Sequence, residues 1–295
     1  MRVPDNVSYK NAIRYMTDSK AKLEKLGTIA ATQKTFQESS DDPSLVSSAL
    51  VLRSSVVASN GYISASNVAQ EWMNNNETAF SLMNDLFTQA NTLMLKATSD
   101  TVDANARLND YAVQVTQLIN QAVTIANSSY NDNYIFSGTS VKTKPFTLAT
   151  DGTHVDYAGN TSTMKRDIAP GIAITINTDG VAAFNDFFDA LILAKHGLET
   201  NDSTEMSTAL GDISDALTTM NQYRTNNAAI LRQVGTGIEH LKTTQNELKA
   251  LLTLKEDANM AEAISMFTLQ QTTYQTVLDV SSRAISALNL FDVLP

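Results

Sequence analysis

The residues best suited to metal or proton chemistry in this chain are its three histidines, His154, His196 and His240. They lie far apart in sequence, and none begins a His-Glu-x-x-His motif, so their spacing does not indicate a zinc peptidase site. The absence of cysteine excludes disulfides, thiolate metal ligands and cysteine nucleophiles. No Gly-rich phosphate-binding motif occurs, since Gly235 and Gly237 fall within a helical pattern. We therefore expect solvated histidines, no catalytic residue, no bound metal and no cofactor.

Two short polar runs carry carboxylates that could in principle bind a cation. Asp41 and Asp42 directly precede Pro43, and adjacent carboxylates could act as acid and base or as Ca²⁺ ligands. A helix N-cap followed by proline at the first helical position is the commoner use of this pattern. Residues 131–133, Asn-Asp-Asn, hint at a metal loop, but the ligand spacing of an EF-hand is absent. We favour a helix cap for the first run and a polar turn for the second.

Composition and charge narrow the classes of partner. The chain has 295 residues, 43% of them hydrophobic and 7% aromatic, and a net charge of −10. Such a chain repels phosphate backbones and anionic lipid, and no cluster of basic residues offsets this, so we expect neither nucleic-acid nor membrane binding. No apolar run approaches the length of a membrane span, and the first residues lack the apolar core of a signal peptide.

Helical periodicity dominates the first 129 residues. Apolar residues recur at spacings of three and four over residues 4–35, and again over a long predicted helix at 44–98. At ~1.5 Å per residue this second helix would be about 80 Å long. Gly61 and the asparagines at 74–76 are the positions that could interrupt it. A further helix is predicted over 104–129, returning antiparallel to the long one.

The middle of the chain changes period. Apolar and polar residues alternate on both sides of Asp151-Gly152, which is a two-residue hairpin signal. Isoleucines then alternate over 172–176, and Asp179-Gly180 ends that run. Helix resumes near Ala182 and, after a polar turn, continues to the C-terminus in two heptad frames whose shift falls near 255–259.

This order of elements predicts a mainly α fold. The N- and C-terminal arms would form a long antiparallel helical rod or coiled coil, with a small β-rich domain inserted mid-chain. We predict a terminal coiled-coil (inner tube) domain from residues 1–40 and 258–295, a helical rod domain from 41–136 and 184–257, and a β-rich outer domain at 137–183.

The apolar stripes of the two terminal helices are the predicted functional surface. They could simply pair with each other, but Lys20, Gln271 and Ser281 dilute them, so an isolated pair should be marginal. We therefore expect these stripes also to pack against neighbouring subunits. The predicted assembly residues are Ile13, Met16, Leu23, Leu26, Ile264, Phe267, Tyr274, Leu278, Ile285, Leu288, Leu290 and Phe291.

Short motifs along nearly the whole chain resemble the flagellin superfamily. They lie at residues 1–3, 23–26, 40–43, 134–139, 145–146, 256–264 and 290–294. Within the superfamily, the S-D-D-P run at 40–43 is similar to that of the adaptors between hook and filament, whereas flagellin usually has D-D-A-A-G-L there. The chain departs from its relatives at 31–36, which lack the Gly and Arg of S-T-G-K-R-I, and at Val293 and Pro295.

The resemblance implies a structural, non-enzymatic subunit of the bacterial flagellum that adapts the hook to the filament. The implied partners are copies of the chain itself in a tubular or ring assembly, the first hook-associated protein, flagellin, and an export chaperone before secretion. In this superfamily the termini are disordered in the free monomer and fold on assembly. The implied location is extracellular, at the hook–filament junction, after type III export without a cleaved signal peptide.

Two alternative functions stay open at this point. A flagellin would be the filament subunit itself, although the motifs at 40–43 and 134–139 argue against it. A non-flagellar coiled-coil scaffold would share the helical pattern but would not appear on sheared flagella. An enzyme is a remote third alternative, because no constellation of residues supports it.

Overall fold

The structure of the chain is a computed structural model that describes residues 5–99 and 101–291, with side chains described at 7 and at 9–283 within these ranges. The predicted fold class is confirmed, since long α-helices flank small antiparallel hairpins. The elements in chain order are α1 (Asp5–Thr32), α2 (Pro43–Ala97), α3 (Ala104–Ala106), α4 (Ala112–Ala126), β1 (Ser129–Tyr130), β2 (Asn133–Tyr134), β3 (Phe146–Leu148), β4 (Val155–Tyr157), β5 (Lys165–Ala169), β6 (Ile172–Thr175), α5 (Gly180–Thr200), α6 (Ser203–Glu256) and α7 (Met260–Phe291).

The start of α2 follows the predicted cap. Asp42 Oδ1 accepts hydrogen bonds from the backbone N–H groups of Ser44 at 3.1 Å and Leu45 at 2.9 Å, so it satisfies donors that the first helical turn leaves free. The expected interruptions at Gly61 and 74–76 were wrong, because α2 is continuous through both. Asn76 is buried, and its side chain donates to the carbonyl of Ile176 at 3.0 Å, which ties the helix to the residue that follows β6.

The helix predicted over 104–129 is divided by a π-helical turn at Arg107–Tyr111. Arg107 donates from Nε to the carbonyl of Ala97 at 2.9 Å and from Nη2 to that of Ser99 at 3.0 Å. These bonds satisfy carbonyls at the C-terminal end of α2. The helix ends at Ala126. The side-chain amide of the next residue, Asn127, donates from Nδ2 to the carbonyl of Phe146 at 2.8 Å and accepts at Oδ1 from the N–H of Phe146 at 2.9 Å.

The region between α4 and α5 contains three antiparallel hairpins in the described part of the chain. The predicted hairpin at Asp151-Gly152 is present, with β3 paired to β4, but residues 149–154 separate the two strands instead of two residues. This longer loop is stabilised by Asp151, whose Oδ1 accepts from the N–H of Thr153 at 3.0 Å. Ile172 and Ile174 lie in β6, which pairs with β5, and Ile176 follows the end of that strand.

Helix α5 joins the hairpins to the core. It begins at Gly180, two residues before the predicted start, and Asp179 caps it. A Cβ on Gly180 would lie 2.5 Å from the carbonyl oxygen of Phe136. The ring of Phe184 meets that of Phe136 edge-on at 4.7 Å between centroids. Both side chains are fully buried, so the phenylalanines of α5 attach the β-rich region to the helices.

The frame shift predicted near 255–259 marks a break between two helices. Helix α6 ends at Glu256 and α7 begins at Met260. Asn259 caps α7 by accepting from the N–H of Ala261 at 3.2 Å. The continuous C-terminal helix that the periodicity suggested is therefore two helices.

The chain divides into two compact units. The first (unit 1) comprises the residues up to 58 and from 245 onward, and the second (unit 2) comprises Ser59–Thr244. The contiguous cluster of buried apolar residues lies in unit 2, between Ala69 and Ile238. In the described part of unit 1, the buried apolar residues are Ala49 and Ala263. Unit 2 thus has a substantial core, whereas the buried apolar side chains in the described part of unit 1 are small.

Candidate assembly surface

The two terminal helices, α1 and α7, pack against each other within unit 1. Gln270 of α7 donates from Nε2 to the carbonyl of Ser19 at 3.1 Å and to its hydroxyl at 3.0 Å. Further along, a Cβ on Gly27 would lie 3.2 Å from the ring of Phe267, so the helices approach closely there. From the first contact to the second, the residue number rises in α1, from Ser19 to Gly27, and falls in α7, from Gln270 to Phe267. The two helices are therefore antiparallel.

The predicted assembly residues fall into three groups. Ile13 and Ile264 are exposed, at 43% and 53%. A second group is half-buried: Met16, Leu23, Leu26, Phe267, Tyr274 and Leu278. A third group lies outside the residues whose side chains are described: Ile285, Leu288, Leu290 and Phe291. The described members thus lie on the α1–α7 pair, and none of them is fully buried.

Unit 1 also exposes apolar residues that the heptad frames did not single out. Thirteen of the nineteen large exposed apolar residues in the described chain belong to unit 1, although unit 2 is longer. Leu254 is 78% exposed, Leu269 and Val57 are each 69% exposed, and Val280 is 60% exposed. In the sequence, such residues could be found as apolar residues that lie outside the heptad seam of a predicted helix. A surface of this kind is typical of a protein that binds partners.

A groove of about 500 Å³ runs between α1 and α7. Tyr15 and Lys22 of α1 line it, together with Val277 and Val280 of α7. Its apolar floor lies beside charged side chains, which suits a partner helix better than a small polar ligand.

The break between α1 and α2 lies against the break between α6 and α7. Lys34 and Asp257 form an antiparallel β-bridge, flanked by backbone hydrogen bonds from Thr35 N–H to the Glu256 carbonyl at 2.7 Å and from Ala258 N–H to the Gln33 carbonyl at 2.9 Å. We call the region formed by residues 33–35 with 256–258 and the side chain of Arg53 the joint.

Ion pairs reinforce the joint. Lys34 Nζ lies 2.6 Å from Asp257 Oδ1 and 3.4 Å from Glu256 Oε2, and Arg53 Nε lies 2.5 Å from Glu256 Oε1. The side chain of Glu256 is only 5% exposed. The pKa of Glu256 is lowered, first by Arg53 and then by Lys34, against the opposing effect of burial. The carboxylate is therefore held ionised by two cations.

The histidines do not assemble into a site. His196 Nδ1 lies 2.6 Å from Glu205 Oε2, which raises the pKa of this exposed imidazole. His154 Nε2 lies 3.4 Å from Asp156. Among the described residues, no three His, Asp or Glu side chains are placed to hold a metal ion. No described helix has both the length and the apolar character needed to cross a bilayer.

Comparison with known proteins relates this architecture to a family. Residues 3–141 match the family model of the bacterial flagellin N-terminal helical region. The resemblance to the flagellin superfamily is confirmed. The curated relatives include the flagellar hook-associated protein 3 of Salmonella typhimurium, 23% identical, with 94% of this chain and 90% of that protein aligned. They also include the flagellar hook-associated protein 3 of Escherichia coli, 23% identical, with 99% of both chains aligned.

Solved structures of FlgL proteins share the fold of this chain. The Xanthomonas campestris FlgL crystal structure (space group C2) has a TM-score of 0.61 at 14% identity and covers 68% of this chain and 99% of its own. Bacillus cereus FlgL has a TM-score of 0.58 at 19% identity and covers 70% of this chain and 99% of its own. At these identities the likeness shows the fold.

Proposed function

We propose that this protein is a structural subunit of the bacterial flagellum that joins the hook to the flagellin filament. The observation that carries the proposal is the alignment with flagellar hook-associated protein 3 over 94% of this chain and 90% of the relative. An alignment of this extent includes both terminal helices and the inserted region, so it involves more than a shared helical arm. The protein works by shape and contact, without catalysis or a cofactor.

Unit 1 supplies the self-association surface in this proposal. Apolar residues such as Leu269 and Leu254 are exposed at 69% and 78%, and each would leave water on packing against another subunit. Burial of apolar area contributes about 25 cal/mol per Å². The predicted assembly residues on α1 and α7 belong to this surface, and the part of it on these two helices would build the inner wall of a tube.

The predicted domains give the proposal its layout. Residues 1–40 with 258–295 form the inner tube, 41–136 with 184–257 form the outer wall, and 137–183 project outward. The helix breaks after Thr32 and after Glu256 support the boundary between the first two. Copies of the chain contact one another, with the first hook-associated protein on one side and flagellin on the other. An export chaperone holds the chain before secretion to the junction by the type III route.

Deletion of the gene, with complementation in trans, tests this function. We expect cells that keep their hooks, release flagellin into the medium and lack attached filaments, because the adaptor between the two tubes is missing. Complementation should restore filaments. Normal filaments in the deletion strain would refute the adaptor role. Loss of the major filament protein itself, with no flagellin in the medium, would instead support a flagellin, which the match at residues 3–141 keeps as the second candidate.

A further inference from the structure

A groove of about 400 Å³ lies between α2 and α4 in unit 2. Its floor is apolar and includes the buried Leu118. Its rims carry amide groups and one cation: Gln89 and Lys96 on α2, and Gln114, Gln117 and Gln121 on α4. The lining contains no carboxylate, although the chain has 31 acidic residues and a net charge of −10. We call this surface the amide groove.

The polar groups of the amide groove have no partners within the described part of the chain. Its four glutamines and Lys96 are exposed, and none of their side chains forms a hydrogen bond or an ion pair with another described residue. Each glutamine offers two N–H donors, and the ammonium of Lys96 offers three more. The groove therefore presents a set of free donors, held on two helices, that suits a partner rich in acceptors.

A second groove of unit 2 has the opposite character. Asp186 and Asp189 of α5 and Asp212 and Asp215 of α6 line a space of about 530 Å³. We call these four exposed residues the aspartate face. None of them forms an ion pair with a described residue. On each helix the two carboxylates are three residues apart, a spacing at which like charges repel. Donors from another chain would relieve this repulsion.

The two grooves lie on opposite sides of the helical part of unit 2. Helix α4 packs against α5, and α6 contacts α2, where Arg224 Nη2 lies 2.7 Å from Glu77 Oε1. The helices therefore follow the cyclic order α2, α4, α5, α6. Across the core between α2 and α5, the ring centroids of Phe87 and Phe187 are 3.8 Å apart. The α2–α4 groove and the α5–α6 groove thus face away from each other.

Unlike faces on opposite sides of one subunit can join copies head to tail. Such a heterologous contact repeats from copy to copy and produces a ring or a helical tube. Two copies of an acidic chain repel each other in most orientations. A lining without carboxylates, met by a face made of carboxylates, is an orientation in which the charges are complementary. The exposed Leu82 and Leu95 of α2 are not part of this lining.

We propose that the amide groove binds the aspartate face of a second copy of this chain in the assembled flagellum. The glutamine amides donate to the carboxylates, and Lys96 supplies a positive charge beside them. The inference rests on the proposed function, since it names a contact between copies within that assembly. It concerns unit 2 alone and adds a polar contact to the apolar surface of unit 1.

Crosslinking in isolated flagella tests the proposal, because the chain has no cysteine of its own. The variant carries Gln117→Cys and Asp215→Cys, and a short bismaleimide is added to flagella and to the dilute free chain. We expect dimers and longer crosslinked species from flagella, because a heterologous contact joins each copy to two neighbours. The free chain should stay monomeric. The control pair, Gln117→Cys with Glu239→Cys, uses an exposed residue far along α6 and should give no ladder.

Charge reversal tests the electrostatic part of the contact. Lys96→Glu and Asp215→Lys should each lower incorporation into flagella by roughly tenfold or more. Their circular dichroism spectra should not change, since both side chains are exposed. The combined variant should recover part of the loss, because the two charges then complement each other again. Glu239→Lys should be incorporated like the wild type.

Three results would overturn the inference. The first is crosslinking by Gln117→Cys alone, because the groove would then face its own copy. The second is an equal ladder from the control pair, and the third is normal incorporation of both charge-reversal variants. Absence of the wild-type chain from isolated flagella would instead refute the proposed function itself. Incorporation of the cysteine variant without a ladder would refute this contact and leave the proposed function standing.

Discussion

Burial distinguishes the charge of Glu256 from most other charges in unit 1. Its side chain is 5% exposed, whereas Lys20 and Glu24, which form an i,i+4 pair, are 61% and 66% exposed. Exposed pairs contribute about 0–1 kcal/mol, since water and salt screen them. Loss of a partner from a buried carboxylate lowers the free energy of unfolding more than loss of an exposed pair does. Among the acidic residues of unit 1, Glu256 is therefore the one whose protonation or substitution we expect to change stability.

The pKa of Glu256 should lie below the ordinary value of 4.5, because Arg53 and Lys34 favour the ionised form. A folded pKa below the unfolded one means that this carboxylate stabilises the fold above the ordinary value, and that the contribution is lost as pH falls through the folded value. Carboxyl-carbon NMR titration measures it. Arg53→Gln should raise the pKa, and Lys20→Gln should leave it unchanged. An unshifted pKa after Arg53→Gln would contradict the assignment.

Two leucines provide a matched test of where the core lies. Leu191 of α5 is fully buried, and Leu254 of α6 is 78% exposed. Leu191→Ala should lower the free energy of unfolding of unit 2 by about 2–5 kcal/mol because it leaves a cavity. Leu254→Ala should change it by no more than about 0.5 kcal/mol. Urea unfolding followed by circular dichroism measures both, and equal effects would disprove the assigned core.

Some residue roles could be predicted from sequence and others could not. The cap by Asp42 follows from a local pattern, aspartate before proline, and the structure has it. The role of Arg107 could not be predicted, because its bonds to Ala97 and Ser99 depend on how the chain reverses direction after α2. Glu256 lies in a motif that was noted for resemblance, but its burial depends on Arg53 and Lys34, more than 200 residues away.

At the scale of elements, periodicity predicted the helices and strands that depend on short stretches of sequence. The long helix at 44–98 and the strands around Asp151 were predictable, because hydrophobic period and turn residues are properties of short segments. The π-helical turn at Arg107–Tyr111 and the length of the 149–154 loop were not, since both depend on tertiary contacts. Gly61 was overestimated as a helix breaker because a glycine costs only about 1 kcal/mol in a helix of this length.

The exposed face of α7 should matter for assembly but not for folding. Leu269 is 69% exposed, so Leu269→Asp should leave the circular dichroism spectrum unchanged. A charge on a surface that becomes buried disfavours packing, so incorporation into flagella, measured by quantitative blotting of sheared flagella, should fall by roughly tenfold or more.

The matched control for this prediction is Leu82→Asp on α2, where the leucine is 49% exposed and belongs to unit 2. Incorporation of this variant should stay near wild type. Normal incorporation of Leu269→Asp would show that the face of α7 is not an assembly surface. Equal loss in both variants would show that the surface is not confined to unit 1.

At the scale of the whole molecule, the two units differ in how much apolar surface they bury. Unit 2 buries a cluster of phenylalanines and has the composition of an independent core. Unit 1 carries most of the large exposed apolar residues. This division is what a subunit needs if one part must be stable alone and another must gain stability from its neighbours.

The central claim is that this protein occupies the boundary between hook and filament. Immunogold electron microscopy of isolated hook–filament complexes, with antibody to this protein, tests it most directly. The account predicts label confined to that boundary. Label along the whole filament would mean that the protein is a flagellin, and no label on any flagellar structure would contradict the flagellar role altogether.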